Sequence, residues 1–220
     1  MSQFRPYQPA LLRILHGAAA ILAILSLISG FWVYNTYDRR WGALPLPRLD
    51  AIQDIHGTIA LTFFLLFPLF ALYSFHIGDR RLTDRRSLQQ LQRLGDPVGW
   101  VSLHRLTNTV MLLASTLAIV TGRMMKEGWL PAGDLDRLVY FGHLIAWACV
   151  FFCLMLHLLL SAKVGGVPLL ISMFRWGLRE GDAPRSWLQS IRWQPSSAVL
   201  KGIEIVTIAG IFIAAIAPLF

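Results

Sequence analysis

Two histidines stand inside one uninterrupted apolar run, LVYFGHLIAWACVFFCLMLHLLLSA from Leu138 to Ala162, and their spacing suggests a shared task. His143 and His157 are 14 residues apart. At about 100° and 1.5 Å per residue, that is nearly four whole turns, so both imidazoles leave one helix face about 21 Å apart along the axis. A polar ring in hydrocarbon costs about 2–3 kcal/mol unless something compensates, and two on one face ask for a common cause. Metal coordination is the usual one. An axial imidazole satisfies its nitrogen by binding iron, and two haems stacked across a bilayer sit about that far apart. The plainer reading, for either residue taken alone, is a helix-to-helix hydrogen bond within a bundle.

The elements that must carry these residues are legible from composition. The chain has 220 residues, 55% hydrophobic and 15% charged, with mean hydropathy +0.56. A soluble domain carries about 25% charged residues, so this chain does not face water on every side. Apolar windows long enough to cross about 30 Å of hydrocarbon recur five times. They are Leu11 to Tyr34, Ile52 to Phe75, Val101 to Arg123, Leu138 to Ala162 and Ile203 to Leu219, the last with Glu204 at its entrance. The expected fold is an all-α integral membrane protein: a four-helix bundle in residues 1–165, then an interfacial amphipathic segment and a fifth transmembrane helix in 166–220. No small-residue cleavage site follows the first apolar window, which reads as a retained helix.

Cys149 and Cys153 lie mid-span, with no CxxCH for covalent haem attachment and no zinc spacing; they read as small packing residues. A net charge of +8 is of the sign that nucleic acid attracts, but its distribution says otherwise. Thirteen basic residues fall on the side of the N-terminus, among them Arg80, Arg81, Arg85, Arg86, Arg175 and Arg179, against six on the other. That bias puts the N-terminus in the cytoplasm and reports contact with anionic lipid rather than DNA. The segment Val167 to Gly177, with Phe174 and Trp176 opposite Arg175 and Arg179, reads as an amphipathic helix on the inner surface.

Alternating helix direction then sorts the six histidines by depth: His56 and His143 near the outer surface, His16, His76, His104 and His157 near the inner one. An outer haem has one pair available, His56 with His143. For an inner haem, His16 with His157 matches in depth and setting. His16 with His104 competes, because spans one and two resemble three and four as a weak repeat: His16 to His56 is 40 residues and His104 to His143 is 39. His76, beside Gly78, Asp79 and Arg80, reads as an interfacial residue.

One histidine early in helix one, a second about 40 residues later and two spaced 14 apart in helix four resemble the bacterial dihaem cytochrome b561 group. That group includes the b-type membrane subunits of nickel-iron hydrogenases and formate dehydrogenases. Arg13-x-x-His16 and the His143/His157 pair carry the resemblance, over roughly residues 5 to 165. It implies two haem b groups, held by His16/His157 and His56/His143, and electron exchange with membrane quinone in a bacterial inner membrane or thylakoid. The group's four core helices leave the fifth as a departure. His104, Arg105 and Asn108 near the inner interface are candidate contacts for a quinone carbonyl or a haem propionate. A redox partner subunit, or a soluble donor steered to the basic cytoplasmic face, would complete the path. Two other classes stay open: a haem-free membrane anchor or assembly subunit, and a small transporter with histidine proton relays.

Overall fold

A computed structural model describes residues 7–126, 134–175, 177, 179, 181–182, 184–187, 191 and 197–216. Every regular element among them is helical. The first is α1, Ala10–Tyr37. An outer loop leads to α2, Ile52–His76, and a 3-10 turn at Asp79–Arg81 leads to the short α3, Arg85–Gln90. Then come α4, Pro97–Lys126, α5, Asp134–Ser172, the one-turn α6, Pro184–Trp187, and α7, Ala198–Ile216. Five of these, α1, α2, α4, α5 and α7, are long and apolar enough to cross a membrane. The protein is an integral membrane helical bundle. The end at which α1 starts is called inner here and the other outer.

Burial follows from the solvent rather than from water. Ile14, Ile21, Ile28, Leu65, Ile145, Phe152 and Leu159 point outward because lipid accepts them, and hydroxyls and small residues are kept inside. The least apolar span, α4, is the hub, packing on α5 and on α7. Its threonines are satisfied within the helix: Thr107, Thr116 and Thr121 donate to the carbonyls of Leu103, Leu112 and Leu117. The α1–α2 hairpin and the α4–α5 hairpin are each closely packed, but touch one another sparingly through their backbones. Between them stand the histidines.

Three elements depart from the expected boundaries. The α4 helix begins at Pro97 rather than near Val101, and the connection before it winds into short helices, among them α3, which starts at a capping box between Asp84 and Ser87. The α5 helix continues past Lys163 to a kink at Gly166, whose φ of 65° only glycine adopts cheaply, and resumes with Pro168 to Ser172. The amphipathic helix expected over Val167 to Gly177 is therefore helical only as far as Ser172, where Met173 and Phe174 turn the chain out of it and Arg175 and Gly177 lie in irregular backbone; Phe174 is exposed, and Trp176 lies outside the described residues. The fifth span begins at Ala198, and Gly210 lies so close to α4 that an added Cβ would come within 2.4 Å of Thr116 Cγ2.

Candidate functional site

The six histidines separate by depth as the topology requires. At the outer end, His56 on α2 and His143 on α5 place their ring centroids 6.3 Å apart. At the inner end, His16 on α1 and His157 on α5 stand 5.9 Å apart. With about 2 Å from iron to each nitrogen and about 1 Å more to each ring centre, two axial imidazoles on one iron stand roughly 6 Å apart. Both pairs have that spacing.

Their hydrogen bonds decide which nitrogen is available. The Nδ1 of His143 lies 3.1 Å from the Ala118 carbonyl and 3.0 Å from Thr121 Oγ1. A carbonyl can only accept, so Nδ1 carries the proton and Nε2 keeps its lone pair. His56 reaches the same state by another partner. Ser29 donates its hydroxyl proton to the Leu25 carbonyl, which leaves its oxygen to accept from His56 Nδ1 at 2.9 Å. For His157 the partner is Asn108. The Asn108 amide nitrogen donates to the Arg81 carbonyl, which turns Oδ1 to accept from His157 Nδ1 at 2.7 Å. Three of the four rings therefore hold a donor nitrogen outward and a lone pair on Nε2, the arrangement in which outer partners orient a metal-ligating imidazole. Among the described residues no group of three or more His, Cys, Asp or Glu could hold a metal ion. Two-imidazole sets suit a metal whose remaining ligands come from a macrocycle.

Two glycines fit closely against the outer pair. A Cβ on Gly30 would lie 3.1 Å from His56 Cε1 and 3.4 Å from Trp147 Cδ1, and one on Gly122 would lie 3.3 Å from His143 Cε1. Gly17 and Gly57 have open space instead, and Gly142 meets only a Thr121 methyl, at 3.6 Å.

His104 also comes to His157, but in a different relation. The ring centroids are 5.0 Å apart, with His104 Nε2 at 3.2 Å from His157 Nδ1 and at 3.2 Å from Ser161 Oγ. It approaches Nδ1 of His157, the same nitrogen that Asn108 engages, at hydrogen-bonding range. Of the three inner candidates, His104 and Asn108 are thus brought together at His157. Arg105 is not: the next residue round the helix, it bears on Asp84 and lines a separate cavity of about 240 Å³ with Gln90, Pro97, Val98 and Val101.

His76, expected at the open interface, is instead mostly buried, with Nε2 2.7 Å from Glu204 Oε1 of α7. Ser29, Thr121 and Glu204 escaped sequence reasoning because each meets its histidine from another helix, at no fixed spacing. A profile of the family described as prokaryotic cytochrome b561 matches residues 7–176. No curated protein and no solved structure matches the chain.

Proposed function

The chain belongs to the prokaryotic cytochrome b561 family, whose members are transmembrane b-type cytochromes of electron transfer, and from that premise we propose that it carries two haem b groups and exchanges electrons with membrane quinone. His56 and His143 hold the outer haem; His16 and His157 hold the inner one. Each haem, when bound, takes up and releases one electron at its iron. The observation that carries this assignment is the pairing itself: rings about 6 Å apart, with Nδ1 of His56, His143 and His157 engaged by acceptors so that Nε2 remains for iron. The same observation favours His16/His157 over His16/His104. His104 sits on the Nδ1 side of His157, where a ligand-orienting neighbour belongs.

The chain's own residues do three things in this scheme. Ser29, Thr121, Ala118 and Asn108 orient the imidazoles. Apolar walls and the glycines at 30 and 122 admit a flat macrocycle and exclude water. His104, Asn108 and Ser161 form the polar group at the inner end where a quinone head would exchange hydrogen bonds and protons with the near aqueous phase. The basic bias puts that end, and the N-terminus, in the cytoplasm, where a redox partner of negative charge would be steered to the basic loops. Residues 166–220 add a fifth helix to the dihaem bundle.

The test is the dithionite-reduced minus oxidised visible spectrum with pyridine haemochrome quantification. Wild type is expected to show a b-type α-band and about two haems per chain, and His143→Ala about one. One haem per chain in fully loaded wild type would overturn the dihaem assignment, and an unchanged ratio in His143→Ala would overturn the outer pair.

A further inference from the structure

Of the inner candidates, Arg105 is left outside the histidine cluster, and it stands at open space. Its helix, α4, leaves the inner face through Trp100, whose ring centre lies 5.6 Å from Lys163 Nζ of α5; an aromatic ring and a cation of this kind sit at headgroup level. The helix axis advances about 12 Å between Pro97 and Arg105. Side chains lean toward the N-terminus of their helix, so the guanidinium rises from the edge of the hydrocarbon back toward the headgroups.

The cavity there has a volume of about 240 Å³ and lies between the end of α3 and the start of α4. Pro97, Val98 and Val101 form its apolar wall, and Gln90 and Arg105 its polar one. Val98 is 47% exposed, so the mouth opens on the surroundings of the bundle. The buried Ser102 hydroxyl lies 3.1 Å from Gln90 Oε1, which leaves the Gln90 amide nitrogen to donate elsewhere. The Arg105 guanidinium makes no hydrogen bond and no ion pair among the described residues. Asp84 bears on it by charge only, and Asp84 Oδ1 already accepts from Ser87 N at 2.6 Å. Between Asp84 and Arg105 the chain carries Arg85, Arg86, Arg93 and Arg105 against Asp84 and Asp96, so the field at the mouth is positive.

We propose that this cavity binds one anionic phospholipid of the inner leaflet, its phosphate taken by Arg105 and Gln90 and the start of an acyl chain laid on Pro97, Val98 and Val101. A guanidinium grips two phosphate oxygens through parallel N–H bonds, which uses donors that the protein leaves idle. A soluble anion would satisfy those donors but leave the apolar wall bare. A quinone would cover the wall but bring no charge to the guanidinium. The lipid meets both needs, and it fills the gap between α3 and α4. The site involves none of the histidines and stands independently of the haem assignment.

The experiment is native mass spectrometry of the full-length, haem-loaded protein in neutral detergent, titrated with phosphatidylglycerol or with phosphatidylcholine of the same chains. Wild type is expected to keep one phosphatidylglycerol under conditions that strip phosphatidylcholine. Arg105→Gln is expected to weaken that binding about tenfold, as a lost charge-assisted hydrogen bond does. Arg105→Lys is expected to weaken it by less, since the charge stays and the fork goes. Val98→Asp, which sets a carboxylate at the exposed mouth and spares both donors, is expected to weaken it too. Arg48→Gln, in the outer loop, makes the same change in net charge as Arg105→Gln and is expected to leave binding unchanged. Equal affinity in wild type and Arg105→Gln at equal haem content would overturn the site, as would equal binding of the two lipids or an equal loss in Arg48→Gln. If Arg105→Gln does not fold, unchanged binding in Val98→Asp overturns it. Displacement of the lipid by inorganic phosphate would give the cavity to a soluble anion, and displacement by a short-chain quinone would give it to the redox substrate; either result overturns the lipid assignment.

Discussion

At the scale of single residues, the chemistry depends on which imidazole nitrogen is left bare. Ser29 is the acceptor for His56 Nδ1, at 2.9 Å. Ser29→Ala removes it, so the ring loses its orientation and, on the proposed assignment of His56 and His143 to an outer haem, about tenfold in affinity for that haem is the expected loss, read by haem titration into the stripped protein. An affinity within error of wild type would refute the role given to Nδ1. Backbone space matters on the same scale. Gly30→Ala places a methyl 3.1 Å from His56 Cε1, so the ring must yield by a few tenths of an ångström, whereas Gly17→Ala meets nothing within 4 Å. The low-spin electron paramagnetic resonance of the outer haem is expected to shift in the first and not in the second. Identical spectra in both would mean the outer ring tolerates the methyl.

At the scale of elements, two contacts tie helices whose apolar faces alone would leave their rotation loosely specified. His76 on α2 and Glu204 on α7 are 15% and 11% exposed in their side chains, and lie 2.7 Å apart. Removing one partner strands the other in a poor solvent. His76→Leu and Glu204→Leu are each expected to cost about 3 kcal/mol, and the double variant to recover most of it, because an apolar pair of similar volume replaces a buried polar one without loss. Additive losses in the unfolding titration would show that the two residues act independently. At the outer end Asp38, just past α1, accepts from Tyr140 of α5 at 2.6 Å and from Arg40 at 2.7 Å. Burial pushes the Asp38 carboxyl up, but the hydrogen bonds from Tyr140 and Arg40, with the charge of Arg40, more than offset this and hold it below its ordinary 3.8. A depressed folded value means that the stabilisation is full above the unfolded value and is lost as pH falls through the folded one. Thermal unfolding followed from about pH 6 down to about pH 3 is therefore expected to fall more steeply in wild type than in Asp38→Asn. Parallel curves would remove the contact from the stability of this end.

At the scale of the whole molecule, charge sets orientation. A cysteine at Leu88, 42% exposed on α3, is expected to react with an impermeant maleimide only in inverted vesicles, and one at Trp41, 68% exposed in the outer loop, only in right-side-out vesicles. The opposite pattern would reverse the assigned direction across the membrane. What the sequence determines by itself is whatever travels along one helix. Apolar length set five spans, helix direction set the depth of each histidine, and the 14-residue step put His143 and His157 on one face, because rise and rotation per residue are properties of the local backbone. The structure keeps all of these, with ends moved by a few residues where caps and the Gly166 kink intervene. What the tertiary structure decides is whatever crosses between helices. Ser29 beneath His56, Thr121 and the Ala118 carbonyl beneath His143, and Asn108 between Arg81 and His157 have no common spacing from the rings they hold. The same holds for the rings that meet His157, His16 at 5.9 Å and His104 at 5.0 Å between centroids, and for Glu204 closing on His76. Those contacts depend on how far each helix is rotated and how closely it approaches its neighbour, and that is set by the packing of side chains distant in the chain, such as Gly210 against Thr116.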